Sequence, residues 1–182
     1  MNYRRLLTCA ASLAAFATGG TVMAQPGDTF TSSGTATARI ATPVAVTKTA
    51  DLEFGTMIAP ATGWARVTIH ARNGSRNANG NTVFVANNGF ARGAFAVTGP
   101  ANTDILITTP APTFELTGPG APMTVDRLRI SFANSAQRSL PRSVTIPATG
   151  AADMHVGGRL RFRAGQAPGQ YSGTFLIVVT HQ

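Results

Sequence analysis

Arg159, Arg161 and Arg163 alternate with Leu160 and Phe162 towards the end of the chain. Side chains along a β-strand point to opposite faces in turn, so residues two apart share a face about 7 Å apart. With Met154, Val156, Leu160 and Phe162 turned inward, the three arginines form an outward row that His155 extends. Guanidinium groups grip carboxylates and phosphates through paired N–H donors. The row is a candidate ladder for an anionic polysaccharide, a lipopolysaccharide phosphate or an acidic neighbouring subunit. The same charges would also keep an exposed strand from pairing with other chains. Trp64 has the parity of Arg66 and His70, opposite Val67 and Ile69. It is either an exposed ring for sugar stacking or a ring packed under the loop near Gly63.

Other chemistries find less support. A nucleophilic triad needs a base beside the nucleophile and a group that orients the base. His70, His155 and His181 lie near no Gly-x-Ser-x-Gly elbow. The first two have outward parity, and the three show no metal-ligand spacing. The seven acidic residues show no calcium-loop pattern. Asp51 and Glu53 share one strand face, where a calcium site or protection of an edge strand would use them. A glycosidase needs two carboxylates facing each other across a cleft, and nothing selects such a pair. Gly74, Gly80, Gly89 and Gly118 read as turn glycines, since no helix follows to complete a phosphate cradle. No cofactor is expected, and the chain reads as a non-enzyme.

The strands that carry these residues come after a leader. Arg4 and Arg5, the run Leu6 to Thr18 and the small-residue site Val22-Met23-Ala24 have the form of a cleaved signal peptide over residues 1–24. A lipoprotein anchored through Cys9 is the weaker alternative, because the best apolar stretch follows the cysteine. The expected destination is the periplasm, the cell surface or the medium. Cys9 is the only cysteine, so the exported part would hold no disulfide, cysteine nucleophile or thiolate metal site. No later run is long enough for a transmembrane helix. The net charge of +8 is carried almost wholly by arginine, with Lys48 the one lysine. Aromatic residues do not interleave with the basic ones, which argues against nucleic acid as a partner.

Residues 25–34 read as a flexible arm and 35–182 as one domain. Short alternating stretches are separated by Gly, Pro and Asn, the signature of an all-β sandwich or barrel. Ala36, Ala38, Ile40, Val44 and Val46 keep one parity across Pro43, which places them at a sheet edge. Further strands centre on Leu52–Phe54, Ala65–Ile69, 82–86, Phe95–Val97, Ile105–Ile107, Phe114–Leu116 and Val144–Ile146. The segment 73–80 reads as a loop. Met123 and Val125 are odd whereas Leu128, Ile130 and Phe132 are even, so a β-bulge is expected near Asp126-Arg127. Tyr171, Phe175, Ile177 and Val179 mark a closing strand over Gly169–Gln182, with Tyr171 a corner or core tyrosine bonded to backbone. Together these give an antiparallel, immunoglobulin-like or pilin-like sandwich of about ten strands, with a closed barrel as the alternative.

Several of these stretches resemble the bacterial domain-of-unknown-function family 4402. They are Ala36-Thr37-Ala38-Arg39-Ile40 with Pro43-Val44; Asp51-Leu52-Glu53-Phe54-Gly55; Val156-Gly157-Gly158-Arg159-Leu160; and Gly169-x-Tyr171-Ser172-Gly173-Thr174-Phe175. The resemblance implies an exported protein similar in layout to pilin-like and spore-coat-like fibre subunits, and no established activity. Many fibre subunits hold a disulfide, and the exported part of this chain has none.

Two functions are expected in order. The first is an exported structural or surface protein, a pilin-like fibre or envelope subunit that assembles with copies of itself or related subunits by β-strand addition. Its candidate donor knobs are Ala36, Ala38 and Ile40. The second is a secreted carbohydrate-binding or adhesive module that uses the arginine row and Trp64.

Overall fold

The computed structural model describes residues 35, 37, 38, 40, 42–80, 83–85 and 89–182. The expected leader, the arm 25–34 and Ala36 lie outside them. The chain divides into two compact units, Met1–Ala38 and Arg39–Gln182. Among the described residues, every strand belongs to the second unit.

This unit is all-β, as its alternating sequence requires. Among the described residues, fifteen strands run in chain order: β1 (Ala45–Ala50), β2 (Glu53–Phe54), β3 (Met57–Ile58), β4 (Trp64–Ile69), β5 (Arg76–Asn79), β6 (Val83–Phe84), β7 (Phe90–Ala91), β8 (Gly93–Thr98), β9 (Asp104–Thr108), β10 (Phe114–Leu116), β11 (Met123–Phe132), β12 (Arg138–Ser139), β13 (Arg142–Thr145), β14 (Ala151–Arg163) and β15 (Val178–His181). All pairings are antiparallel. An eight-stranded sheet follows the order β1-β8-β14-β11-β10, with β4 and β5 added beside β14 and β12 beside β11. Among the described residues, a second sheet has three strands, β13-β9-β15. Two short ribbons, β2-β7 and β3-β6, complete the fold.

The two sheets form a sandwich because their apolar faces share one core. Met154, Val156, Leu160 and Phe162 from β14 meet Ile105 and Ile107 from β9 in a single buried cluster. Each fully buried aliphatic side chain contributes roughly 1.5–3 kcal/mol relative to exposure, so this cluster supplies the main stabilisation of a domain without disulfides.

The 13-residue strand β14 organises the large sheet. One of its edges pairs with β11. Its other edge pairs with β8 over Ala151–Val156 and with β4 over Gly158–Arg163. Gly157 stands at the hand-over. A Cβ there would lie 2.3 Å from the Ile69 carbonyl oxygen and 2.5 Å from the Ala71 nitrogen. The chain leaving β4 therefore passes directly over Gly157, where a larger residue would force the backbone to shift. The expected bulge in β11 is present. Its pairing with β14 shifts between Asp126 and Arg129, and Arg127 takes a φ of 52°. The extra residue switches parity, which is how Val125 and Leu128 both reach the core.

Other stretches differ from expectation. The edge strand is Ala45–Ala50; of the expected strand through 36–46, the described residues 37, 38, 40 and 42–44 carry no strand, and Ala36 lies outside the described residues. The segment expected to be a loop over 73–80 contains β5, because its register on β4 satisfies the backbone there. Gly74 and Gly80 still turn with positive φ. Of the expected closing strand, only Val178–His181 enters a ladder, on β9. Ser172 makes a lone bridge to Thr117. Between them Phe175 packs against Phe95 and Phe114 without sheet pairing. Alternation here records burial and not backbone pairing. Tyr171 does act as a corner: its hydroxyl donates to the Ala167 carbonyl at 2.9 Å and accepts from the Gly120 N–H at 2.9 Å.

Candidate functional site

The outward face of β14 carries the arginine row, and its neighbours determine what each arginine does. Arg159 faces Asp126 across the β11 pairing and Thr68 across the β4 pairing. Its Nε donates to Asp126 Oδ1 and one terminal nitrogen donates to Oδ2, both at 2.6 Å. This fork holds the Asp126 carboxyl below its ordinary range, and burial opposes the shift without cancelling it. The same contact raises Arg159. Arg159 is thus a fixed structural charge.

Arg161 stands directly opposite Arg66 on β4, and Arg163 directly opposite Trp64. The Arg163 guanidinium lies over the Trp64 ring at 4.0 Å and that of Arg161 lies 5.2 Å from it. Trp64 remains 48% exposed. The two separately expected features, the arginine row and the exposed tryptophan, therefore form one surface. Arg66 joins them, a residue that parity placed outward but that only the β4–β14 register brings to the site. The nearest carboxylate to Arg161 is Asp126 at 3.6 Å, already forked by Arg159. Among the described residues, neither Arg66 nor Arg163 has a salt-bridge partner. Thr124, Thr68, Asn77 and Asn79 continue this face in register.

The opposite, inward face of the same strand meets a cleft of about 1040 Å³. Leu160, Phe162, Phe114, Leu116 and Met123 contribute to its floor. The segments 51–59 and 166–173 wall it. Phe175, just before β15, also lines it.

The family model described as Domain of unknown function (DUF4402) matches residues 44–181. This chain belongs to that family. No curated protein and no solved structure shows significant similarity to it. The DUF4402 match runs from just before β1 to the end of β15 and contains both the arginine–tryptophan face and the cleft. Three of the four resembling stretches fall inside it; the first reaches it only at Val44.

Elsewhere in the DUF4402 domain, the histidines are placed apart. His155 shares the parity of the row but lies on the other half of β14, between Ser131 and Ala94. Its Nδ1 is buried without a hydrogen-bond partner. Burial foremost, then the Arg92 charge, lowers its pKa, while Asp153 opposes them. His70 closes the β4–β5 hairpin. Its ring nitrogens lie 3.1 Å from the Asn77 amide and 3.2 Å from the Gln137 amide. Gln137 also accepts the Ala71 N–H, tying the chain that crosses Gly157 to the loop after β11. His181 ends β15 and is exposed. Asp51 pairs with Lys48 at 2.7 Å, and Glu53 is exposed on β2. Among the described residues, no three His, Cys, Asp or Glu side chains gather at one point, and no helix is long and apolar enough to cross a membrane.

Arginines also have internal work. Arg92 donates to the carbonyls of Ala71 and Arg72. Arg76 lies over the rings of Phe84 and Phe90 and donates to the Phe54 carbonyl, joining both ribbons to β5. Of the expected donor knobs, Ala38 is exposed and Ile40 is 97% exposed.

Proposed function

We propose that this chain is an exported, non-enzymatic structural protein of the cell envelope or surface, a subunit that joins its neighbours by β-strand pairing. One observation carries the reading: among the described residues the second sheet holds three strands with β15 at its edge, and Phe175, just before β15, lines an open cleft over core side chains. A sandwich gains most when both apolar faces are fully covered. Among the described residues β15 has β9 on one side only, and its other edge would take an added strand. Backbone hydrogen bonds would supply affinity, and alternate side chains entering the cleft would fix register. The candidate donor is the segment 25–40 of another copy, with Ala36, Ala38 and Ile40 as its inward residues. Small knobs suit a cleft already narrowed by Phe175 and Tyr171.

Analytical ultracentrifugation tests this. The chain that keeps residues 25–40 is expected to self-associate with rising concentration, and to run as a ladder on an unboiled denaturing gel. Removing 25–40 is expected to leave a monomer. A chain that stays monomeric with the segment intact would overturn the reading.

A further inference from the structure

We infer that the outward face of β4 and β14 is a binding site for a carboxylate-bearing polysaccharide, with Arg66, Arg161 and Arg163 as its ligating groups and Trp64 as the platform that holds Arg161 and Arg163. This inference is independent of strand addition, which uses the inward face.

Holding these arginines together is costly. Arg66 and Arg161 are direct cross-strand partners. Like charges placed so destabilise a sheet, and Arg163 adds a third positive charge about 7 Å along the same strand. Among the described residues, the one carboxylate within reach is Asp126, 3.6 Å from Arg161 and already engaged by both Arg159 donors. Among the described residues, none of the three guanidinium groups makes a hydrogen bond, unlike those of Arg76, Arg92 and Arg159. An anion bridging Arg66 and Arg161 would turn this repulsion into attraction and gain paired, charge-assisted hydrogen bonds.

The surroundings select the class of anion. Arg163 is stacked on Trp64 before any ligand arrives, so less side-chain freedom is lost on binding. The rows beyond are Thr124, Thr68, Asn77 and Asn79, side chains that hydrogen-bond hydroxyl groups. Trp64 is the only large hydrophobic residue exposed on β4 and β14, so the face lacks the apolar side chains that enter a lipid surface. A single aromatic ring likewise falls short of the successive stacking platforms that hold a nucleic-acid strand. Separated carboxylates on a hydroxyl-rich, extended chain match both the charges and the polar rows.

Trp64 is the only tryptophan, so its emission reports the site directly. Titration of the protein with oligogalacturonate in low salt is expected to change this emission and to give a saturable curve that weakens as salt rises. Neutral amylose oligosaccharides are expected to leave it unchanged. Arg66→Gln is expected to lower the affinity at least about tenfold, as loss of a charge-assisted contact does. Arg66→Glu keeps the test clear of folding defects: it places a carboxylate opposite Arg161, so it is expected to raise the melting temperature while abolishing binding. Unchanged emission with oligogalacturonate would overturn the inference. So would equal affinity in Arg66→Gln, or binding to anionic phospholipid vesicles without binding to the glycan.

Discussion

At the scale of the residue, the arginines divide by partner. Arg159, Arg76 and Arg92 are committed to a carboxylate, to rings and to backbone carbonyls. Arg66, Arg161 and Arg163 face solvent beside Trp64. Sequence parity puts the row and the tryptophan outward, but parity is a local property. The partnership of Arg66 with Arg161 depends on a strand pairing between distant parts of the chain, so parity alone does not reveal it. The Asp126–Arg159 fork also has a pH signature. The folded state holds Asp126 below its ordinary value, so the unfolded chain binds the proton more readily. The stabilisation is complete above about pH 4, the usual aspartate range, and is lost as pH falls through the folded value. Asp126→Asn is expected to lower the urea midpoint at pH 6, and its difference from the native chain is expected to shrink steadily below pH 4. A difference that stays constant with pH would show that the fork has no such role.

At the scale of the element, β14 is the most legible strand in the sequence and its surroundings are the least. Its inward row, Met154, Val156, Leu160 and Phe162, is buried along the whole length. The bulge in β11 is legible for the same reason, because a period-2 pattern shows a switch of parity within a few residues. The ribbons β2-β7 and β3-β6 are harder to read, since two-residue ladders leave almost no periodic trace. The closing stretch keeps its alternation yet mostly lacks a ladder, since the aromatic packing of Phe175 sets its burial. Gly157 carries no periodic signal of its role. In the sequence it is a neutral step within a strand; in the fold it is where β14 changes partners beneath the Ile69 and Ala71 backbone. Gly157→Ala is expected to cost about 1–3 kcal/mol, the range for overpacking against a rigid neighbour. Urea denaturation measures it. The adjacent Gly158→Ala has its nearest neighbours at 3.2 Å and 3.3 Å, both ends of side chains, and is expected to cost less. Equal effects at the two positions would remove the hand-over as the cause.

At the scale of the whole molecule, one strand serves two surfaces. Leu160 and Phe162 floor the cleft from one side of β14, and Arg161 and Arg163 rise from the other. Along β14 successive residues in this stretch point to opposite faces. The proposed assembly and glycan-binding surfaces can therefore be tested separately by single substitutions. Ile58 lines the cleft and is 56% exposed, so a charge there leaves the folded core intact. Ile58→Asp would place an unpaired carboxylate where an incoming strand must bury its apolar residues, a penalty well above the gain from one knob. It is expected to keep the native melting temperature and oligogalacturonate affinity while weakening self-association at least about tenfold. Arg66→Glu is expected to do the reverse, abolishing glycan binding and leaving sedimentation unchanged. Loss of both properties in either variant would mean that the two faces are coupled through β14. The fold gives no reason for such coupling, since Asp126–Arg159 fixes the outward side and the buried row fixes the inward one.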